Sequence, residues 1–203
     1  MSKKWIDVKL AGGVFLAYLL VFVAFDRTDV FWYLYTAAIL FLISYSIIHE
    51  PLDDEAPTKQ YITYGVISGI ALYVLFFIGD WVLGIIPNPL SEQVDSVYTH
   101  FSFEFFWHYL VLVFIMIPGE EIFWRGFVLK KLLVWLNPIG AIFAGALLNG
   151  AAFYFTGYFI LVIAAFVSGL VWGWLYIWKR SIRLVILSHL TFNLLLLILF
   201  PLQ

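Results

Sequence analysis

Residues 10–25 read LAGGVFLAYLLVFVAF, a run with no charged side chain, preceded by Lys3, Lys4 and Lys9. A helix needs roughly 20 apolar residues to cross the hydrocarbon of a bilayer, and this run with its flanks supplies them. It begins like a secretion signal. No small-x-small cleavage pattern follows, however, and the next segment is again long and apolar, so the expectation is a retained first span. Working outward, comparable runs recur at Val30–Ile48, Tyr61 to about Ile86, Phe105–Ile117 continuing through Pro118 and Gly119 to about Leu136, Ile139–Phe155, Tyr158–Trp178 and Ile182–Leu199. The reading is an all-α polytopic membrane protein of seven crossings. It becomes eight helices if the stretch after Gly126 forms a separate interfacial helix.

Composition agrees. Hydrophobic residues make up 64% of the chain and charged residues 12%, whereas soluble domains carry roughly half and a quarter. A water-soluble fold of this length has no core large enough for that much apolar surface. Helices are preferred over a transmembrane barrel because the apolar stretches are continuous, whereas membrane strands would alternate polar and apolar positions over about ten residues. A net charge of −2 offers no basic surface for nucleic acid, and the absence of cysteine removes disulfides and thiolate metal sites. Between the runs lie a polar linker, His49–Gln60, with Glu50, Asp53, Asp54 and Glu55, and a second polar loop from Pro87 to about Ser102 with Glu92 and Asp95. Basic residues favour the cytoplasmic side. A cytoplasmic N-terminus puts Lys3, Lys4, Lys9, Lys59, Lys130, Lys131, Lys179, Arg180 and Arg183 inside and leaves Arg27 outside.

Ionisable groups inside spans are costly and therefore candidates for function. The densest group is PGEEIFWRGF, Pro118–Phe127. Glu121 and Arg125 are four apart and share a helical face, which lets them pair. Glu120 points about 100° away, a surplus carboxylate of the kind general-base chemistry uses; the bland alternative is a salt-bridged interfacial helix. The second group is His189 and Asn193 in SHLTFN, again four apart, with Ser188 and Thr191 nearby. A lone buried His or Asn usually packs or bonds between helices. The pair on one face can supply a base or ligand and an oxyanion donor.

Glu-Glu-x-x-x-Arg with its Pro-Gly and Gly-Phe flanks, followed by His-x-x-x-Asn, resembles the CAAX protease and bacteriocin-processing family, which includes type II CAAX prenyl endopeptidases and bacterial self-immunity proteins. The likeness runs from about Phe105 to the C-terminus, dividing one transmembrane domain into variable spans over 1–104 and a family-like core over 105–203. It implies an intramembrane endopeptidase in which Glu120 activates water, Glu121 and Arg125 support it, His189 assists at the water or a metal, and Asn193 steadies the oxyanion. The substrate would be a membrane-associated peptide or membrane protein in the lipid bilayer, and the setting a bacterial plasma membrane. Prenylated substrates do not follow from the likeness.

One departure is serious. The family's Phe-x-x-x-His motif falls on ALLNGAAFYFTG, Ala146–Gly157, where Asn149 occupies the Phe position and Phe153 the His position. Asn149 and Phe153 are then expected to line the substrate cavity. His108 precedes Glu120 by about 18 Å of helix and is no substitute, and His49 and His100 lie at span ends. A catalytic zinc usually has three protein ligands, so the expectation is no metal and no cofactor. Three readings remain: a working endopeptidase with a reduced site, an inactive member acting in immunity or partner binding, and a transporter or channel subunit. The last would show symmetric halves or paired broken helices, and the small residues Gly140, Ala144, Gly145, Ala146 and Gly150 look instead like close helix packing.

Overall fold

A computed structural model describes residues 7–85 and 88–202; Lys3, Lys4, Ile86 and Pro87 lie outside them. Seven helices among the described residues are long and apolar enough to span a bilayer: α1 (Val8–Asp26), α2 (Phe31–His49), α3 (Thr58–Ile85), α5 (Phe106–Leu133), α6 (Pro138–Ala152, prolonged by a 3₁₀ turn), α7 (Phe159–Lys179) and α8 (Ile182–Leu199). The protein is an integral membrane protein. Its large exposed side chains, such as Phe15, Phe41, Phe77 and Trp81, coat the helices that face lipid.

The eighth helix is not where the sequence placed it. Residues up to Leu133 continue α5, whereas α4 (Pro89–His100) occupies the expected polar loop. The start signal is local: Asn88 accepts hydrogen bonds from the backbone N–H groups of Leu90 and Ser91, and Pro89 takes the first turn, where no N–H is needed. At 12 residues the helix reaches about 18 Å and cannot cross. It lies over the ends of α7 and α8: Gln93 accepts from the Ile160 backbone N–H, and the Tyr98 hydroxyl donates to the Leu196 carbonyl.

Small residues set the closest helix contacts. A Cβ on Gly69 of α3 would lie 2.5 Å from the Ser188 carbonyl oxygen of α8, and one on Gly169 of α7 would lie 3.0 Å from Ala146 of α6. Ala146 and Gly150 thus serve the packing expected of them, while Gly145 lies against Leu132 and Leu129 of α5.

At the end of the bundle where α2 stops, residues 50–57 cross as a strap. Asp54 and Ser181 form an antiparallel bridge, the Glu55 N–H donates to the Arg180 carbonyl (2.9 Å), and the Ile182 N–H to the Asp53 carbonyl (3.1 Å). Arg180 holds a left-handed conformation (φ 48°), costly for a residue with a side chain. It ends α7 as a left-handed cap normally does, and the strap fixes it there. Lys130 pairs with Asp53 at 3.0 Å, Lys131 with Glu50, and Arg183 with Asp54.

Candidate active site

Helix α5 departs from regular winding on both sides of Pro118, which has no N–H to give. Leu112–Met116 and Ile122–Leu129 are π-helical, a form that recurs at functional sites. Between them stand Gly119, Glu120 and Glu121. A Cβ on Gly119 would collide with Ile39 and Ile43 of α2, so the bare glycine lets α2 approach. Tyr35 lies one helical turn before Ile39 on α2, and its hydroxyl donates to Glu120 Oε1 at 2.7 Å.

Glu121 turns the other way and is fully buried. Its Oε1 accepts from Arg125 Nη1 (3.1 Å) and from His189 Nδ1 (2.7 Å). Trp172 of α7 is the shelf beneath this knot. The imidazole stacks on its ring with centroids 3.9 Å apart, and the guanidinium carbon lies 5.2 Å from the ring centre. The indole N–H donates to Ser188, which also accepts from Ser68 of α3. A carboxylate can only accept, so Nδ1 carries a proton, and in the neutral ring Nε2 is the acceptor. Nε2 in turn accepts from the Asn193 amide at 3.2 Å. The Asn193 amide nitrogen has a second proton left to donate.

Glu120, His189, Asn193, Asn149 and Phe153 all line one cavity of about 500 Å³. Its remaining walls mix aromatic and aliphatic side chains, and the loop after α4 borders it, so it lies toward the end opposite the strap. Glu121 and Arg125 sit behind the wall. Residues 102–195 match the family model described as Rce1-like, type II CAAX prenyl endopeptidase Rce1-like. This match, over a little under half of the chain, supports the likeness to the CAAX protease and bacteriocin-processing family. No curated protein and no solved structure matches it.

Against the CAAX-protease pattern the departures become concrete. Phe153 ends α6 and packs edge-on against Phe25 of α1, with centroids 5.8 Å apart. Asn149, a turn earlier, is 4% exposed; its Nδ2 donates to the Ala165 carbonyl at 3.4 Å and its Oδ1 has no partner. Glu121 Oε2 and Arg125 Nη2 are also buried without partners. Among the described residues no three His, Asp or Glu side chains stand together as metal ligands. With both His189 nitrogens engaged and Glu121 committed to Arg125, the donor set does not fit a catalytic zinc.

The other histidines are used locally. His108 is buried, stacks on Trp32 (4.3 Å), and its Nδ1 accepts from the backbone N–H groups of Glu104 and Phe105, capping α5. The ring nitrogens of His49 and His100 lie 2.8 Å from the carbonyls of Tyr45 and Ser96, each four residues back. Tyr35 and Trp172 were not found from sequence. Both belong to apolar spans rich in aromatic residues, and nothing local to either marks it.

Proposed function

We propose that this protein hydrolyses a peptide bond of a membrane-associated peptide or membrane protein, using water activated by Glu120 and no metal. The observation that carries this reading is the division of labour between adjacent carboxylates: Glu121 is sealed into an ion pair, while Glu120 lies on the cavity wall outside that pair. In the proposed reaction Glu120 takes a proton from water as the water oxygen bonds to the substrate carbonyl carbon. The carbonyl π pair moves onto oxygen, and the spare N–H of Asn193 donates to that oxyanion. Glu120 then returns the proton to the amide nitrogen as the C–N bond breaks. His189 is a positioning residue in this scheme, since its bare Nε2 orients Asn193 and its Nδ1 is anchored by Glu121 and, through it, Arg125. Donors fixed in advance within a water-poor cavity are the strongest general source of rate enhancement.

One observation favours a second reading, an inactive member that binds a partner, as immunity proteins do: a phenyl ring stands at 153, where the family pattern has imidazole. Wild type, Glu120→Gln and Phe153→His, purified in detergent and incubated with a library of membrane peptides, separate the two. Wild-type cleavage that disappears in Glu120→Gln is the expected result. A silent wild type with an active Phe153→His variant would select the binding protein. The bacterial plasma membrane is the proposed setting.

A further inference from the structure

Resting on that reading, we propose that Tyr35 takes over the work of the absent imidazole, as the positioning residue that holds the Glu120 carboxylate for attack, so that α2 completes the site. Tyr35 lies outside residues 102–195, which the family model covers. Its hydroxyl reaches Glu120 Oε1 at 2.7 Å, a charge-assisted length. Donation to one oxygen leaves the other carboxylate oxygen to take the water proton.

The ring is held rather than free to swing. It is 6% exposed, stacks on Phe31 (5.3 Å, 15° between planes) and meets Phe25 edge-on at 5.8 Å. Phe153 meets that same Phe25 at 5.8 Å. Tyr35 and Phe153 therefore flank one phenyl ring on the wall that Glu120 shares, and polarity has moved from the α6 position to the α2 position. The fit depends on Gly119, whose missing side chain admits Ile39 and so brings Tyr35 within reach.

The test is steady-state cleavage by wild type, Tyr35→Phe, Phe153→His and the double variant, with pH profiles. Tyr35→Phe keeps the stacked ring and loses only the hydroxyl. Its kcat should fall about 10- to 100-fold, the usual cost of losing a group that orients a reacting one, with KM within about twofold. The acidic limb of its pH profile should be displaced, because a donor to a carboxylate favours the ionised form. Phe153→His should restore at least about tenfold to Tyr35→Phe, and Tyr35→Phe should cost far less in the Phe153→His background than in wild type, since the two groups would fill one role. If Tyr35→Phe fails to accumulate, a ring-fluorinated tyrosine at 35 retains shape and hydroxyl and should still displace the pH profile. Wild-type cleavage that Tyr35→Phe leaves unchanged, a loss confined to KM, or purely multiplicative effects would overturn the role of Tyr35 and leave proteolysis standing. A wild type silent while Phe153→His cleaves would show that Tyr35 does not substitute for imidazole. Silence from all four removes the proteolytic reading, and this inference with it.

Discussion

Two of the charge groupings among the described residues stand under opposite conditions. In the bundle interior Glu121 and Arg125 pair at 0% and 3% exposure. At one end the strap brings Glu50, Asp53 and Asp54 against Lys130, Lys131, Arg180 and Arg183, with the two arginines about half exposed. The strap has more ion pairs, yet the interior pair governs more. Pairs that water reaches, as it does at the two arginines, contribute about 0–1 kcal/mol because it competes for the partners. A buried pair gives little net gain over an apolar pair, but losing one partner leaves an uncompensated charge, at a cost of about 3–5 kcal/mol. Count is therefore a poor guide to consequence, and the interior knot is where a single substitution should do most harm.

The largest expected effect is at Arg125. Arg125→Leu leaves the Glu121 carboxylate buried with only His189 for a partner and should lower the melting temperature in detergent far more than Glu120→Gln. Adding Glu121→Gln to Arg125→Leu should recover part of the loss, because the stranded charge is gone. Equal melting of Arg125→Leu and Glu120→Gln would break the distinction between the two regions.

Next is Gly119→Val. Its side chain must displace Ile39 and Ile43, an overpacking that costs about 1–3 kcal/mol and moves Tyr35 off Glu120. Melting and cleavage should fall together. Gly79→Ala is the control: a Cβ there meets nothing within 4 Å, so the helix should be unharmed or slightly steadier.

What the sequence disclosed divides along similar lines. The spans are legible because each is a continuous apolar run, and membranes demand little more than length. Glu121–Arg125 and His189–Asn193 are legible because helical geometry places residues four apart together. The Glu121–His189 bond joins positions 68 apart, and only the family likeness brought them to one site. Tyr35 to Glu120 spans 85 residues and has neither local periodicity nor a motif to announce it. Helix α4 was missed although Asn88 and Pro89 mark its start, since a short polar helix at a membrane surface resembles a loop in composition.

The strap should respond weakly and in a pH-dependent way. Burial raises the Asp53 carboxyl, but hydrogen bonds from Lys130 and Tyr176, with the charges of Lys130 and Arg180, outweigh it and hold the group below the usual carboxylate range. A depressed native value means that its stabilisation is present above the unfolded value of about 3.9 and lost as pH falls through the native one. Asp53→Asn should cost less than about 1 kcal/mol near neutrality. The difference from wild type should shrink with added salt and vanish as pH is lowered through the acid range. A difference that persists in acid would mean that the side chain acts through its shape.

The smallest effect separates burial from charge. Asn149 is as buried as Arg125, carries no charge, lines the cavity, and has a buried Oδ1 without a partner. A buried acceptor left unsatisfied costs about 1–3 kcal/mol, so exchanging it for an apolar side chain of similar size should remove a penalty. Asn149→Leu should therefore melt at or slightly above the wild-type temperature, by at most about 1 kcal/mol, since the weak 3.4 Å bond to Ala165 is lost with the penalty. If peptide binding uncovers that oxygen and it accepts a backbone N–H, the same variant should bind peptides more weakly, and an ester in place of the amide should weaken wild-type binding to match. Binding measured in the Glu120→Gln background keeps turnover out of the comparison. A variant that melts lower and binds normally would make Asn149 a packing residue between α6 and α7, and the cavity's polar contacts would then come from α2, α5 and α8.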